Sequence, residues 1–252
     1  MQRWPERLWI ARHGESAGNV ARREADAAGA PRLVLTHRDM DVPLSVRGTE
    51  QAQALGRWFA HGTANEQPEV ILASPYLRAR QTAEQFRAAG GCAPGEAICF
   101  DERLREKEFG ILDGLTHAGI AEVEPEQAEF RRLLGKFYHR PPGGESWCDV
   151  ILRLRSLMDT VALHYGGRRV MIVAHQVVVL CLRYVIEGMT EEDILAVDAA
   201  GNVANASITE YRFDPSAGKD GGLVLVRYNA VAPLEQEDAP VTIEPAGTAT
   251  AP

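Results

Sequence analysis

Arg12-His13-Gly14 stands directly after the short apolar run Leu8-Trp9-Ile10-Ala11. A permanent cation, an imidazole able to act as nucleophile or base near neutral pH, and a residue that admits close backbone approach are thus adjacent. Alone the tripeptide carries little, because a single histidine is more often structural than catalytic. It has company. A second apolar run, Val170-Met171-Ile172-Val173-Ala174, ends in His175, and a third, Val70-Ile71-Leu72-Ala73, leads into Ser74-Pro75-Tyr76-Leu77-Arg78.

Apolar runs of this length read as buried strands of a parallel sheet, where ligands bind outside the carboxyl ends of the strands. The three strands would therefore deliver His13, Arg78 and His175 near one sheet edge. Ser74-Pro75 reads as a cap followed by proline at the first helical position, which puts Arg78 in or near a first turn, a favourable place for an anion. Ser45 reads as another cap, with Ala52, Leu55 and Phe59 on one helical face. Ser146-x-x-Asp149 is a capping box before the stripe Val150, Leu154, Leu157 and Val161. Gln176 to Ile186 is nearly all apolar and predicts a buried helix on the sheet. Ala97 to Phe100 predicts another strand, and Ser207 to Phe213 with Leu223 to Tyr228 a hairpin that finishes the sheet.

Read in order, Arg12-His13-Gly14-Glu15-Ser16, Ser74-x-x-x-Arg78-Ala79-x-Gln81-Thr82-Ala83, Leu104-x-Glu106-x-x-x-Gly110 and the strand ending in His175 form a recognisable series. From about residue 8 to 213 the chain resembles the histidine phosphatase superfamily, the phosphoglycerate-mutase-like fold. The resemblance implies an α/β fold, a three-layer α/β/α sandwich with a mostly parallel central sheet and an antiparallel edge. It also implies a small-molecule phosphomonoester as substrate and no cofactor. His13 would be the nucleophile, Arg12, Arg78 and protonated His175 the phosphate clamp, and Glu106 the acid, with Phe109 helping to desolvate it. Glu102 and Glu108 read as surface residues. Ser16 and Asn19 have short polar side chains suited to phosphate oxygens, and Gln176 follows the second histidine where many relatives have Gly.

The chemistry follows from residue types. A phosphomonoester dianion repels nucleophiles, and its transfer spreads charge over equatorial oxygens, so catalysis depends on positioned cations and an in-line attacker. An alkoxide leaves poorly, so Glu106 would first donate a proton to the ester oxygen and then take one from the attacking water. Metal ligation is not expected, because no spacing such as His-Glu-x-x-His occurs. Gly114 to Glu145 is short beside the insertion of cofactor-dependent mutases, which resembles the phosphatase branch. His175-Gln176 before an apolar helix is similar to fructose-2,6-bisphosphatase domains, which points to a phosphosugar or related metabolite. The alternatives are a mutase-type phosphotransferase or a non-catalytic phosphate-binding regulator.

Composition sets the outer bounds. The chain has 252 residues, 45% hydrophobic and 25% charged, with formal net charge −8. That charge argues against nucleic acid or an anionic membrane as partner, leaving any phosphate to local cations. Four cysteines without CxxC spacing, and no long apolar segment, suggest a cytoplasmic protein. Oligomeric state is not legible. Residues 20–40 read either as a surface excursion or as a segment whose Arg22, Arg23, His37 or Arg38 lines the substrate mouth. Residues 115–145 read as a mostly helical lid, in which Glu145 either borders the pocket or merely occupies a turn. Residues 1–230 are expected to form the histidine phosphatase domain. Residues 231–252, with four prolines, four acids and no Lys, Arg or aromatic residue, predict a disordered acidic tail.

Overall fold

The computed structural model of the chain describes residues 2–93 and 97–244. Its centre is β1 (Arg7–Arg12), which pairs in parallel with β4 (Arg169–Ala174), placing Ile10 beside Ile172 and Arg12 beside Ala174. Outward from β4 come β2 (Val70–Ala73) and β3 (Ile98–Phe100), both parallel. On its other side β1 pairs antiparallel with β5 (Ile208–Asp214), which forms a hairpin with β6 (Gly222–Ala230). The order is β3-β2-β4-β1-β5-β6, a mostly parallel sheet with an antiparallel edge.

Both faces are covered, and β1 shows why its sequence is continuously apolar. Successive side chains point to opposite faces. Leu8 and Ile10 enter a cluster with Val150, Leu154 and Val161 of α6 (Trp147–His164) and Val178 to Leu182 of α7 (Gln176–Glu187). Trp9 and Ala11 enter a second cluster with Leu55 and Phe59 of α2 (Val46–Ala60) and Ala79, Ala83 and Phe86 of α3 (Leu77–Ala88). Helix–sheet–helix is the three-layer arrangement expected, and the caps at Ser45 and Ser146 form as read.

Two features bring the strand ends and helix starts together. After β1 the chain crosses the start of α2 so closely that a Cβ on Gly48 would lie 1.9 Å from the Glu15 carbonyl oxygen, and one on Gly14 2.4 Å from that of Gly48. The buried Glu15 carboxylate then ties the crossing, accepting from Ser45 Oγ at 2.9 Å and pairing with Arg23 at 3.0 Å. Ser74 differs from expectation: α3 is capped by Tyr76 without a side-chain bond, and Ser74 Oγ instead accepts from the Tyr76 N–H and meets His175. Arg78 nonetheless falls in the first turn.

Residues 20–40 continue α1 (Ala17–Ala28) into a loop. Residues 115–145 carry α4 (His117–Val123) and α5 (Pro125–Tyr138), and α8 (Glu191–Ala200) follows α7. Among the described residues no helix is long and apolar enough to cross a membrane.

The disorder expected from residue 231 does not hold through 244. Ala232–Gln236 forms α9, whose Leu234 is fully buried with Ala54 and Ala206. Burying one leucine contributes about 2 kcal/mol, which offsets the ordering of one or two residues. Specific bonds hold the rest: Trp58 Nε1 donates to Gln236 Oε1, Arg57 pairs with Glu237, and Gln51 Nε2 donates to the Pro240 carbonyl and to Thr242 Oγ1, all at 2.8 Å. Residue types alone do not reveal such pairings, because each depends on a partner far away in the chain. Residues 245–252 of the expected tail lie outside the described residues.

Candidate active site

β1, β2 and β4 are neighbours, so the residues leaving their carboxyl ends converge. His13 is buried, its amide donating to the Ala174 carbonyl, and its ring lies 5.1 Å from that of His175 at an interplanar angle of 63°. His13 Nδ1 is 2.7 Å from the carbonyl oxygen of Gly14. A carbonyl only accepts, so Nδ1 carries the proton and Nε2 keeps its lone pair. The orienting partner that sequence could not supply is thus the next residue's backbone. Thr82 steadies the same corner, accepting from the Gly14 amide at 3.1 Å and donating to the Arg78 carbonyl at 2.7 Å.

Arg12 and Arg78 are both nearly inaccessible, and each is held by polar partners. Arg12 Nη1 donates to the Val203 carbonyl, and its Nη2 lies 2.8 Å from Glu244 Oε2. Arg78 Nη1 donates to the Asp39 carbonyl at 2.6 Å and pairs with the Asp39 carboxylate at 3.0 Å. Its guanidinium lies over Tyr76, 5.1 Å from the ring centroid, and Tyr76 in turn packs against His175. His175 Nε2 is 2.8 Å from Ser74 Oγ, while its buried Nδ1 has no protein partner among the described residues.

Electrostatics place these groups in one neighbourhood. His13 is held well below the usual imidazole pKa, first by burial and then by Arg78 and Arg12. His175 is lowered too, by burial, Arg78, His13 and Arg12. Both shifts favour the neutral imidazole, because two fixed cations and burial disfavour a third charge. Glu106 is raised by burial, against the pull of the Lys107 amide, Arg78 and Arg12. A carboxyl in this state holds its proton to higher pH and can donate it.

The loop carrying Glu106 is braced from behind. Glu145 accepts from Arg105 at 2.8 Å, from Arg153 at 2.9 Å and from the Glu108 amide at 3.0 Å, and Arg153 also donates to the Glu106 carbonyl at 3.3 Å. Glu145 is thus no idle turn residue but ties this loop to α6. Phe109 is not positioned as a desolvating wall: it is exposed, with the Lys107 ammonium 4.6 Å from its ring centroid. Glu108 accepts from Tyr76 at 2.5 Å, and Glu102 is exposed.

The secondary residues divide. Asn19 Nδ2 reaches into the site, onto Glu244 Oε1 at 2.5 Å. Ser16 does not, because its hydroxyl is used in capping α1 through the Asn19 amide and side chain. Gln176 opens α7 and donates to Asn202 at 2.5 Å. Arg22 donates to the Leu115 carbonyl, Arg23 pairs with Glu15, Arg38 pairs with Asp41, and His37 is exposed. Of the two readings of residues 20–40, neither names the residue that reaches the site, Asp39, an acid that pairs with Arg78.

The lowered imidazoles make a stability prediction. An unfolded histidine titrates near pH ~6.5. Below that pH the unfolded chain binds protons that the native site refuses, so this contribution is present above pH ~6.5 and lost as pH falls. Each imidazole adds about 1.4 kcal/mol per pH unit to the acid slope. Urea unfolding at pH 6 and 5 is expected to show a slope smaller by about that amount in His175→Asn than in wild type. An unchanged slope would mean that His175 is protonated in the free protein.

Comparison with known proteins places the chain in a family. The family model for the histidine phosphatase superfamily, branch 1, matches residues 8–229. A bifunctional protein of Mycobacterium tuberculosis is 34% identical over 173 residues, 68% of this chain and 41% of that protein, so the chain spans less than half of that relative. A probable phosphoglycerate mutase of Salmonella paratyphi C is 30% identical over 185 residues, covering 72% of this chain and 75% of that one. The structure of mycobacterial glucosyl-3-phosphoglycerate phosphatase with VO3 superposes with a TM-score of 0.68 at 27% identity, over 89% of this chain and 99% of the other. With the match running from the strand before His13 to beyond His175, the chain belongs to the histidine phosphatase superfamily.

Proposed function

We propose that the protein is a phosphomonoester hydrolase working through a phosphohistidine on His13, with a small phosphorylated metabolite as substrate. The observation that carries this reading is the 2.7 Å contact of His13 Nδ1 with the Gly14 carbonyl, which assigns the proton to Nδ1 and leaves the Nε2 lone pair to attack. A phosphomonoester dianion between Arg12 and Arg78 would bring negative charge to this cationic neighbourhood and draw a proton onto His175, completing the clamp. His13 Nε2 then forms a bond to phosphorus as the ester P–O bond breaks, and Glu106 gives its proton to the departing oxygen. Water next attacks the phosphohistidine, Glu106 takes a proton from it, and the P–N electron pair returns to Nε2. α7 starts immediately after His175, whose side chain does not cap it, and a helix amino terminus at this place suits an anion.

Phosphate release across a panel of phosphorylated metabolites tests the activity, and two measurements test its form. Since guanidinium groups serve as the clamp, saturating chelator is expected to leave turnover intact, whereas vanadate, able to mimic the trigonal bipyramidal geometry, should inhibit. Activity abolished by chelator and restored by magnesium would refute this mechanism. Kinship to a probable mutase favours a second reading, phosphotransfer between hydroxyls of one substrate. Given 3-phosphoglycerate and a bisphosphoglycerate primer, the hydrolase yields free phosphate; efficient conversion to 2-phosphoglycerate would establish the mutase instead. Cys99, Cys148 and Cys181 form no disulfide among the described residues, which suits a reducing, cytoplasmic setting.

A further inference from the structure

Both guanidinium groups of the site already hold a carboxylate from the chain itself. Asp39 lies on Arg78, and Glu244, 232 residues distant from Arg12 in sequence, lies on Arg12. Glu244 spans two donors, Oε2 on Arg12 Nη2 at 2.8 Å and Oε1 on Asn19 Nδ2 at 2.5 Å. A negative group presenting two acceptor oxygens to a guanidinium and an amide is what these donors would meet in a phosphoryl group. Two surface clefts of about 470 and 420 Å3 open elsewhere, and neither is lined by His13, Arg12, Arg78 or His175.

The segment is built to reach this place. Beyond α9 the chain runs past Gln51 of α2 to the segment before β5, where the Asn205 amide donates to the Thr242 carbonyl at 3.0 Å and Thr242 Oγ1 donates to Asn205 Oδ1 at 3.1 Å. Asn202 Nδ2 donates to the Glu244 carbonyl at 3.1 Å. Asn205 Nδ2 also contacts the His13 carbonyl at 3.2 Å, linking the strap's anchor to the nucleophile's backbone. Glu244 remains charged: burial works against ionisation, but Arg12 and the hydrogen bonds from Asn19 and Arg12 hold its carboxyl below the usual range. The carboxylate is the outer partner, its side chain 24% exposed against 3% for Arg12, so it can be withdrawn without opening the core.

We propose that residues 231–244 form an autoinhibitory strap whose Glu244 carboxylate occupies the phosphoryl subsite, so that a phosphorylated ligand binds only by displacing it. The inference rests on the reading of this site as phosphoryl-binding. Withdrawal needs only residues 240–244 to lift while Leu234 keeps α9 docked, and apparent affinity for phosphate is reduced by the fraction of molecules with the strap open.

The test uses the full chain. Inorganic phosphate and vanadate are titrated by calorimetry into wild type, Glu244→Gln, which removes the charge at constant size, and Thr242→Val, which loosens the anchor but keeps the charge. Glu244→Gln is expected to bind phosphate about tenfold more tightly than wild type, with Thr242→Val in between. In wild type, vanadate should speed hydrogen exchange at the Asn205 amide as the Thr242 carbonyl leaves it. Wild-type phosphate affinity in both variants, with exchange at Asn205 unmoved by vanadate, overturns the strap. Tighter phosphate binding by Glu244→Gln without turnover of any phosphomonoester by either protein keeps the strap and removes the hydrolase reading. Turnover with unaltered KM and phosphate affinity in the variant does the reverse.

Discussion

Replacing His13 by Ala is expected to lower turnover by on the order of 10,000-fold or more while leaving phosphate affinity within about tenfold of wild type. The size follows from the role: no other group in the site combines a fixed lone pair with a position at the end of β1, within the field of both arginines. The competitor is His175, whose ring lies 5.1 Å away and whose Nδ1 is unpartnered among the described residues. Its Nε2 meets Ser74, so a free lone pair on Nδ1 would make it a nucleophile too. Labelled aryl phosphate quenched in alkali separates the two, since a phosphohistidine survives alkali. Wild type and His175→Ala should retain protein-bound label, the latter at a lower rate, and His13→Ala should retain none. Label retained by His13→Ala and absent from His175→Ala would exchange the two roles.

What could be read from the sequence was local. The strands announced themselves because a strand buried on both faces must be apolar at every position, and β1 divides its Leu8 and Ile10 from its Trp9 and Ala11 between two cores. The residues that leave those strands follow from chain order, so His13, Arg78 and His175 came together without any long-range knowledge. Cap chemistry was less readable, because a hydroxyl has several possible partners within reach. Ser45 and Ser146 cap their helices, Ser74 serves His175 instead, and Ser16 is consumed by its own cap. Asp39 and Glu244 were invisible for a different reason. Each acts through one ion pair with a residue distant in sequence, and neither leaves any periodicity or spacing behind. In the tail, one buried leucine and a few hydrogen bonds outweigh a composition that argues for disorder.

Glu106→Gln is expected to slow a sugar phosphate by about 100- to 10,000-fold, the usual contribution of general acid catalysis. The substitution keeps size and leaves His13, Arg12 and Arg78 untouched, but an amide cannot give a proton to an alkoxide. An aryl phosphate with an acidic phenol should suffer far less in the first step, because its phenolate leaves without help. The raised pKa of Glu106 adds a pH signature: sugar-phosphate turnover by wild type should fall as pH rises through that pKa, and first-step aryl-phosphate cleavage should not follow it. Because the same carboxylate later deprotonates water, the comparison uses the initial burst of phenol, not steady turnover. Two neighbours serve as controls. Glu102 is exposed, and Glu108 is engaged by the Tyr76 hydroxyl at 2.5 Å, near Arg105 at 3.9 Å. Their Gln variants should keep the wild-type preference between sugar and aryl substrates. If Glu108→Gln shows the selective loss and Glu106→Gln does not, the proton comes from the carboxyl beside Tyr76, and the role of Glu106 is structural.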